Sequence, residues 1–434
     1  MFFKILKEAL KLKNVRRKII FTLFIIFVFR LGTHITVPGI NAKSLEQLAD
    51  LPFLNLLNLV SGNAMSSFSV FALGVSPYIT ASIIVQLLQM DILPQFVEWG
   101  KQGEVGRRKL NQATRYISLV LAFIQSIGIT AGFNALSSVQ LVTTPTWQTY
   151  VIIGIILTSG SMIVTWLGEQ ISDKGFGNGV SMIIFSGIIA SIPGAISSIH
   201  EDYFVNVKSS ELTNSWIFVG LLLLAVLLIV FFTTFVQQAE YKIPIQYTKL
   251  AQGAPTSSYL PLKVNPAGVI PVIFASSITA APSSILAFFQ SSHHDVPWLN
   301  TLQNLFSYQT PAGMGIYALL IILFSFFYTF VQVNPEKTAE NLQKNGSYIP
   351  RVRPGRETEA YMSSLLKKLA TVGSVFLALI SLIPIVAQQV FDLTSTVALG
   401  GTSLLILIST GIDSMKQLEG YLLKKKYVGF MNTK

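Results

Sequence analysis

Long apolar runs without one ionised side chain alternate along this chain with short, charge-rich stretches. Residues 51–90, 116–168, 175–200, 212–239, 264–294, 296–335, 369–391 and 393–412 contain no Asp, Glu, Lys or Arg. A helix crosses a bilayer with about 20 mostly apolar residues. The three longest runs can each hold up to two crossings joined by a polar turn. Ten spans are predicted, at about 19–37, 71–90, 116–136, 150–168, 180–199, 215–236, 267–289, 313–333, 370–390 and 396–412. Backbone facing lipid must satisfy its own hydrogen bonds, so the spans are helices. The N-terminal stretch is not read as a cleaved signal peptide. Its basic part is long, its apolar run is a full span, and no small-residue cleavage pattern follows.

Composition agrees with the pattern. Apolar residues make up 51% of 434 positions and only 12% are charged, against about 25% in a soluble chain. Cysteine is absent, which excludes disulfides, thiolate metal sites and a cysteine nucleophile.

Charge then orients the helices. Ten spans leave six segments on the N-terminal side, and these hold 28 of the 31 Lys and Arg residues. The five opposite segments hold Lys43 and Lys208, and Arg30 lies within the first span. The N-terminal side nets +15 and the far side −5. The positive-inside rule places the basic side, with both termini, in the cytoplasm. Most of these charges need do no more than orient the protein and meet anionic phospholipid. The cytoplasmic segments 238–265 and 334–369 are long enough to suggest function as well.

Several chemistries lack their residues. There is no Walker phosphate loop, no GxSxG elbow and no HExxH pair. The glycines of GFGNG at 175–179 read as a tight turn into the fifth span, since no strand precedes them. His293, His294 and Asp295 have no third ligand nearby and read as solvated surface. No span centre carries Asp or Glu, which disfavours an ion-coupled transporter. A membrane-embedded hydrolase is disfavoured by the missing nucleophile–base pair.

One internal repeat stands out. Residues 74–83 read GVSPYITASI and 268–277 read GVIPVIFASS, with six of ten positions identical at an offset of 194. Odd and even spans run in opposite directions, so the two five-span halves would be inverted repeats. Pro77 and Pro271 are expected to kink their helices. Ala81, Ser82, Ala275, Ser276 and Ser277 would allow close helix approach. Before the second span, residues 61–70 (SGNAMSSFSV) are too short and polar to cross and read as a re-entrant plug or an outer loop.

Motifs along almost the whole chain resemble the SecY family, the channel subunit of the general protein-secretion translocon. They are RLGTHITVPGI at 30–40, FSVFALGVSPYITASIIVQLL at 68–88, GRRKLNQATRY at 106–116, WLGEQISDKGFGNGVS at 166–181, PLKVNPAGVIPVIFASS at 261–277, NPEKTAENLQKNG at 334–346 and GGTSLLI at 400–406. The resemblance implies a non-enzymatic, cofactor-free channel of all-α polytopic architecture in a bacterial plasma membrane. Its ten transmembrane helices form two inverted halves, 19–200 and 201–412, around an hourglass pore. A cytoplasmic segment, 1–18, precedes them and a basic tail, 413–434, follows. The implied aliphatic ring at the waist is Val75, Ile79, Val180, Ile184, Ile273 and Ile406. The implied plug is Ser61, Gly62, Asn63, Ala64, Met65, Ser66, Ser67 and Phe68. A lateral gate between spans 2 and 7 would use Thr80, Gln125, Ser276 and Ser277 as polar contacts. Lys242, Lys249, Arg351, Arg353 and Arg356 would dock the motor ATPase SecA or the ribosome, and SecE and SecG would be partner subunits. Cargo would be unfolded secretory and membrane proteins. The chain departs from the family pattern in three ways. Residues 250–262 lack the usual basic residues, Arg351 stands where glycine is usual, and valine replaces isoleucine at two ring positions.

Overall fold

A computed structural model describes residues 11–41, 61, 64–89, 93–136, 141–205, 212–247, 257–279, 297–307, 310–390 and 401–431. The order of elements is α1 (Lys13–Gly32), α2 (Ser76–Leu88), α3 (Pro94–Lys101), α4 (Glu104–Leu136), α5 (Trp147–Lys174), α6 (Gly179–His200), α7 (Leu212–Gln238), β1 (Glu240–Tyr247), β2 (Ser257–Lys263), α8 (Ile270–Thr279), α9 (Pro297–Phe306), α10 (Pro311–Gln332), α11 (Pro335–Lys344), β3 (Ser347–Tyr348), α12 (Arg356–Val390) and α13 (Gly401–Met431). Each of the ten expected spans overlaps a described helix: α1, α2, α4, α5, α6, α7, α8, α10, α12 and α13. Among the described residues, the helices beginning at Glu104, Trp147, Gly179, Leu212, Pro311 and Arg356 are long and apolar enough to cross a membrane. Helices α2 and α8 are shorter. Residues 280–289 of the seventh expected span and 396–400 of the tenth lie outside the described residues.

Side-chain caps start several helices. The side chains of Thr146, Asn178, Thr310 and Asn334 accept the backbone N–H of Thr149, Ser181, Gly313 and Lys337. Each satisfies one donor that a helix start leaves free. Helix α7 is apolar all round and buries only Ser215, Thr233 and Gln237, so most of its surface suits lipid. Helices α4, α12 and α13 run well beyond the apolar stretches into basic sequence.

The prolines of the repeat do not kink their helices. Pro77 is the second residue of α2 and Pro271 the second of α8. In a first turn the missing N–H has no intrahelical role and the fixed φ suits the helix. Prolines inside helices are Pro193 and Pro384.

The segment 238–265 is not a plain loop. Its strands β1 and β2 form an antiparallel hairpin, with Glu240 opposite Lys263 and Gln246 opposite Ser257. Strand β3 pairs with the far end of β1, giving the order β2-β1-β3. Ile243 and Leu262 join Ile349, Met362, Leu366 and Leu369 in a separate apolar cluster. The segments 238–265 and 334–369 therefore pack together, through their described residues, on the start of α12. Pro244 of β1 and Pro261 of β2 fit this small sheet because both of its edges are open beyond β3.

Candidate functional site

The repeat recurs as backbone geometry. Gly74 and Gly268 have φ of 54° and 63°, a left-handed conformation that glycine adopts without a Cβ clash. The Gly74 N–H bonds the Phe71 carbonyl at 2.8 Å, and the Gly268 N–H bonds that of Asn265 at 3.3 Å. One turn later Ile79 donates to Val75 at 3.0 Å and Ile273 to Val269 at 3.3 Å. All four pairs are related by the same offset of 194. The same tight turn thus launches α2 and α8.

The six aliphatic residues picked out by resemblance converge. Val75, Ile79, Ile184 and Ile406 are buried in one apolar cluster, and Val180 and Ile273 pack against it. They come from α2 and its lead-in, α6, α8 and α13. Helix α8 is held on α10 by Phe274, whose ring meets Phe324 and Tyr328 edge-on, each at 6.0 Å.

Residues 64–75 are a run of turns seated beside this cluster. Ala64 lies within it, while Met65 and Phe68 enter a second cluster with Phe133, Ile153 and Leu157. Ser61 is buried and accepts the Met65 N–H at 3.2 Å. Ser66 is exposed, and Ser67 donates to the Thr33 carbonyl at 2.9 Å. The Val37 N–H bonds Phe68 O at 3.1 Å, and the Val70 N–H bonds Ile35 O at 2.9 Å. Helix α5 closes the seat from the other side: Ser161 donates to the Gly74 carbonyl at 2.9 Å, and Gly160 lies directly against Val70. Phe68 is fully buried at φ 42°, where a side chain is strained, and is edge-on to Phe133 at 6.3 Å. Gly62 and Asn63 lie outside the described residues.

The polar residues expected at the gate make local bonds. Thr80 donates to the Ser76 carbonyl at 3.1 Å, and Ser276 to that of Ile273 at 2.9 Å, each within its own helix. Gln125 on α4 is half-buried. Ser277 Oγ on α8 and Gln86 Oε1 on α2 are buried and find no hydrogen-bond partner among the described residues.

The small sheet and the turn before α12 display the expected docking residues. Lys242, Arg351, Arg353 and Arg356 are exposed, and Lys242 lies 4.8 Å from the Tyr259 ring centre. Arg353 is anchored by its backbone, which bonds Glu357 and Thr358, while its side chain is 88% exposed. Lys249 lies outside the described residues. Arg351 has φ 68°, which explains why glycine suits this position. Among the described residues no group of three or more His, Cys, Asp or Glu could hold a metal.

Two further contacts carried no signal in the sequence pattern. Arg115 makes a forked bond to Glu169 at 2.9 and 2.6 Å, joining α4 to α5. This bond raises the Arg115 pKa above its ordinary value. The glycine-rich turn at 175–179 is held by Thr22 of α1, which accepts the Phe176 N–H at 2.8 Å, and by Gln417 of α13, which accepts the Gly177 N–H at 2.7 Å. Gly177 has φ 86°, and a Cβ on Gly179 would overlap the Gly168 backbone, so this turn needs both glycines.

Comparison with known proteins gives a consistent result. The SecY family model matches residues 69–415. The protein translocase subunit SecY of Streptococcus gordonii is 74% identical over 433 residues, covering 100% of this chain and 99% of that protein. Among solved structures, one described as a protein conducting channel superposes with a TM-score of 0.68 at 17% identity, covering 93% of this chain and 92% of that one. Sec61 from the canine ribosome-channel complex gives 0.64 at 16% identity, covering 93% and 92%. These structural matches share the fold of this chain. With the family model spanning most of its length and a relative identical at three positions in four, the chain belongs to the SecY family.

Proposed function

We propose that this protein is a protein-conducting channel of the bacterial plasma membrane. It passes unfolded secretory chains outward and releases apolar segments sideways into lipid. The observation that carries this reading is the convergence of Val75, Ile79, Val180, Ile184, Ile273 and Ile406 in one apolar cluster. An uncharged aliphatic constriction dewets and blocks ions, yet deforms around a passing chain. Ser61 and the turns at 64–70, seated against this cluster, serve as the plug.

The lateral gate is the seam between α2 and α8, the two helices launched by the repeated turn. Each buries one unpaired polar atom, Gln86 Oε1 and Ser277 Oγ. Such an atom costs about 1–3 kcal/mol, which is recovered when the seam opens to water. A signal sequence adds drive by moving apolar groups into lipid, at about 0.8 kcal/mol per CH₂. The two halves of the chain are inverted repeats meeting at this seam.

The surplus of Lys and Arg supports cytoplasmic termini and a cytoplasmic β1–β2 hairpin. With no nucleotide motif in the sequence, the driving force comes from a partner. Arg353, Arg351, Arg356, Lys242 and Lys249 form the docking surface for the motor ATPase SecA and the ribosome. SecE and SecG complete the channel.

The test is a photo-crosslinker at Ile79 with a stalled secretory chain. A crosslink that depends on the signal sequence is expected. Crosslinks to lipid alone, with coupled ion flux in liposomes, would point instead to a transporter.

A further inference from the structure

The cytoplasmic end of α13 touches three parts of the protein at once. Lys416 Nζ lies 2.8 Å from Glu240 Oε1, and Lys263 Nζ lies 3.2 Å from Asp413 Oδ1. Glu240 and Lys263 are partners across the base of the hairpin, and Asp413 and Lys416 are three residues apart on one helix face. The four charges therefore alternate in sign around a closed quartet. The Lys416 bond, with Lys263 and Lys242 nearby, holds the Glu240 carboxyl below its ordinary pKa. One residue on, Gln417 accepts the Gly177 N–H of the α5–α6 turn. Lys18 of α1 donates to the Tyr421 hydroxyl at 2.9 Å and lies over its ring.

The same helix reaches the waist. Ile406 precedes Asp413 by seven residues, about 10 Å along one unbroken helix. On both sides of Asp413, α13 packs in the apolar cluster of the ring. Leu405, Ile406 and Leu418 are buried in it, and Met415, Tyr421 and Leu422 pack against it. A continuous helix cannot shift at Asp413 without shifting Ile406.

We propose that the quartet Glu240, Lys263, Asp413 and Lys416 couples the hairpin to the waist, with α13 as the strut that carries movement of a docked partner to Ile406. These are positioning residues. They act on the ring through the helix and touch no cargo. The pairs are exposed, so each stabilises little and can re-form at a shifted angle. The inference rests on the channel reading above.

The test uses the complete channel and ribosomes carrying a stalled secretory chain. The chain lacks cysteine, so Ser403→Cys places one thiol on α13, a turn from Ile406, at a buried site whose hydroxyl has no partner among the described residues. Its rate of reaction with a water-soluble maleimide reads opening at the waist. Docked ribosomes should raise that rate at least 5-fold. Lys416→Glu and Asp413→Lys should each reduce the response below 2-fold, with ribosome affinity unchanged within 2-fold. Inverting all four charges should restore it. Glu240→Gln, which cannot misfold by repulsion, should give an intermediate response. A full response in the single reversals overturns the coupling. So does loss of response in step with loss of ribosome affinity, or no response without any substitution. The Ile79 crosslink, measured in the same preparation, separates these outcomes. A crosslink without coupling sinks the strut and leaves the channel.

Discussion

Gly160→Ala tests the plug at its seat. Gly160 on α5 lies against the backbone of Val70. A Cβ there would overlap the Val70 carbonyl oxygen and sit 2.7 Å from its carbon and 2.9 Å from Val70 Cγ1. Carbon atoms rest about 3.5–4.0 Å apart, so the segment must retreat by about 1 Å. Retreat strains its bonds to Ile35, Val37 and Ser161. Overpacking of this kind costs about 1–3 kcal/mol. All of it falls on the seated state, because a displaced plug leaves room for the methyl group. The seated-to-displaced ratio should fall roughly 5- to 150-fold. The readout is resting ion conductance of the reconstituted channel in planar bilayers, which should rise steeply. Gly220→Ala is the control, since nothing lies within 4 Å of a Cβ there. Ser161→Ala removes the bond to Gly74 without adding bulk. At about 0.5–1.5 kcal/mol it should raise conductance roughly 2- to 10-fold. A folded Gly160→Ala channel as tight as the unaltered one, with Ser161→Ala equally tight, would refute the plug assignment.

Five further outcomes are expected. Ile79→Asn combined with Ile273→Asn should hydrate the ring, raise resting conductance and relax signal-sequence selectivity; unchanged currents would count against a seal at this level. Arg353→Glu should abolish motor-driven translocation without altering thermal stability, because its only ion pair among the described residues is an exposed contact to Glu357 at 4.0 Å; normal translocation would remove Arg353 from the docking surface. Arg351→Gly should keep or raise the melting temperature, while Arg351→Val should lower stability by about 1–2 kcal/mol, because a β-branched residue fits φ 68° worst. Glu240 has a lowered folded pKa, so its pair with Lys416 stabilises fully above the unfolded value of about 4.3 and is lost as pH falls through the folded one. Amide protection of residues 257–263, taken relative to the intrinsic exchange rate at each pH, should therefore fall only in acid, and Glu240→Gln should abolish that pH dependence. Single cysteines at Ser258 and Asn345 should resist an impermeant thiol reagent added to intact cells, and one at Ser292 should react; labelling at 258 or 345 would invert the topology.

The helices were legible because a bilayer imposes one rule on length and polarity, and the charge-free runs obey it. The ring and the repeat were legible as motifs, but the role of the prolines was not. A proline two residues into a helix and one at its centre look alike until the start is fixed, and here Gly74 and Gly268 fix it. The hairpin was hidden by its composition. Pro244 and Pro261 weaken the strand signal, and only Ile243, Ile245 and Leu262 alternate inward as buried residues. Its third strand is two residues long and comes from a segment a hundred positions away. The seat of the plug was illegible for a similar reason. Gly160 and Ser161 look like ordinary small residues of a membrane helix, and the chain they support is 87–90 positions earlier.

The prolines of the hairpin have a consequence for a protein whose cargo is unfolded polypeptide. An open strand edge is a template for any extended chain. In an antiparallel ladder a proline can sit only where its nitrogen faces outward. Pro261 therefore removes a donor from the free edge of β2. Pro244 removes one from the free edge of β1, two residues before β3 begins to cover it at Gln246. Neither edge offers an uninterrupted row of donors, so the hairpin is protected against capturing its own traffic as an added strand. Replacing both prolines with valine should leave the fold intact and turn the entrance of the channel into a place where cargo sticks.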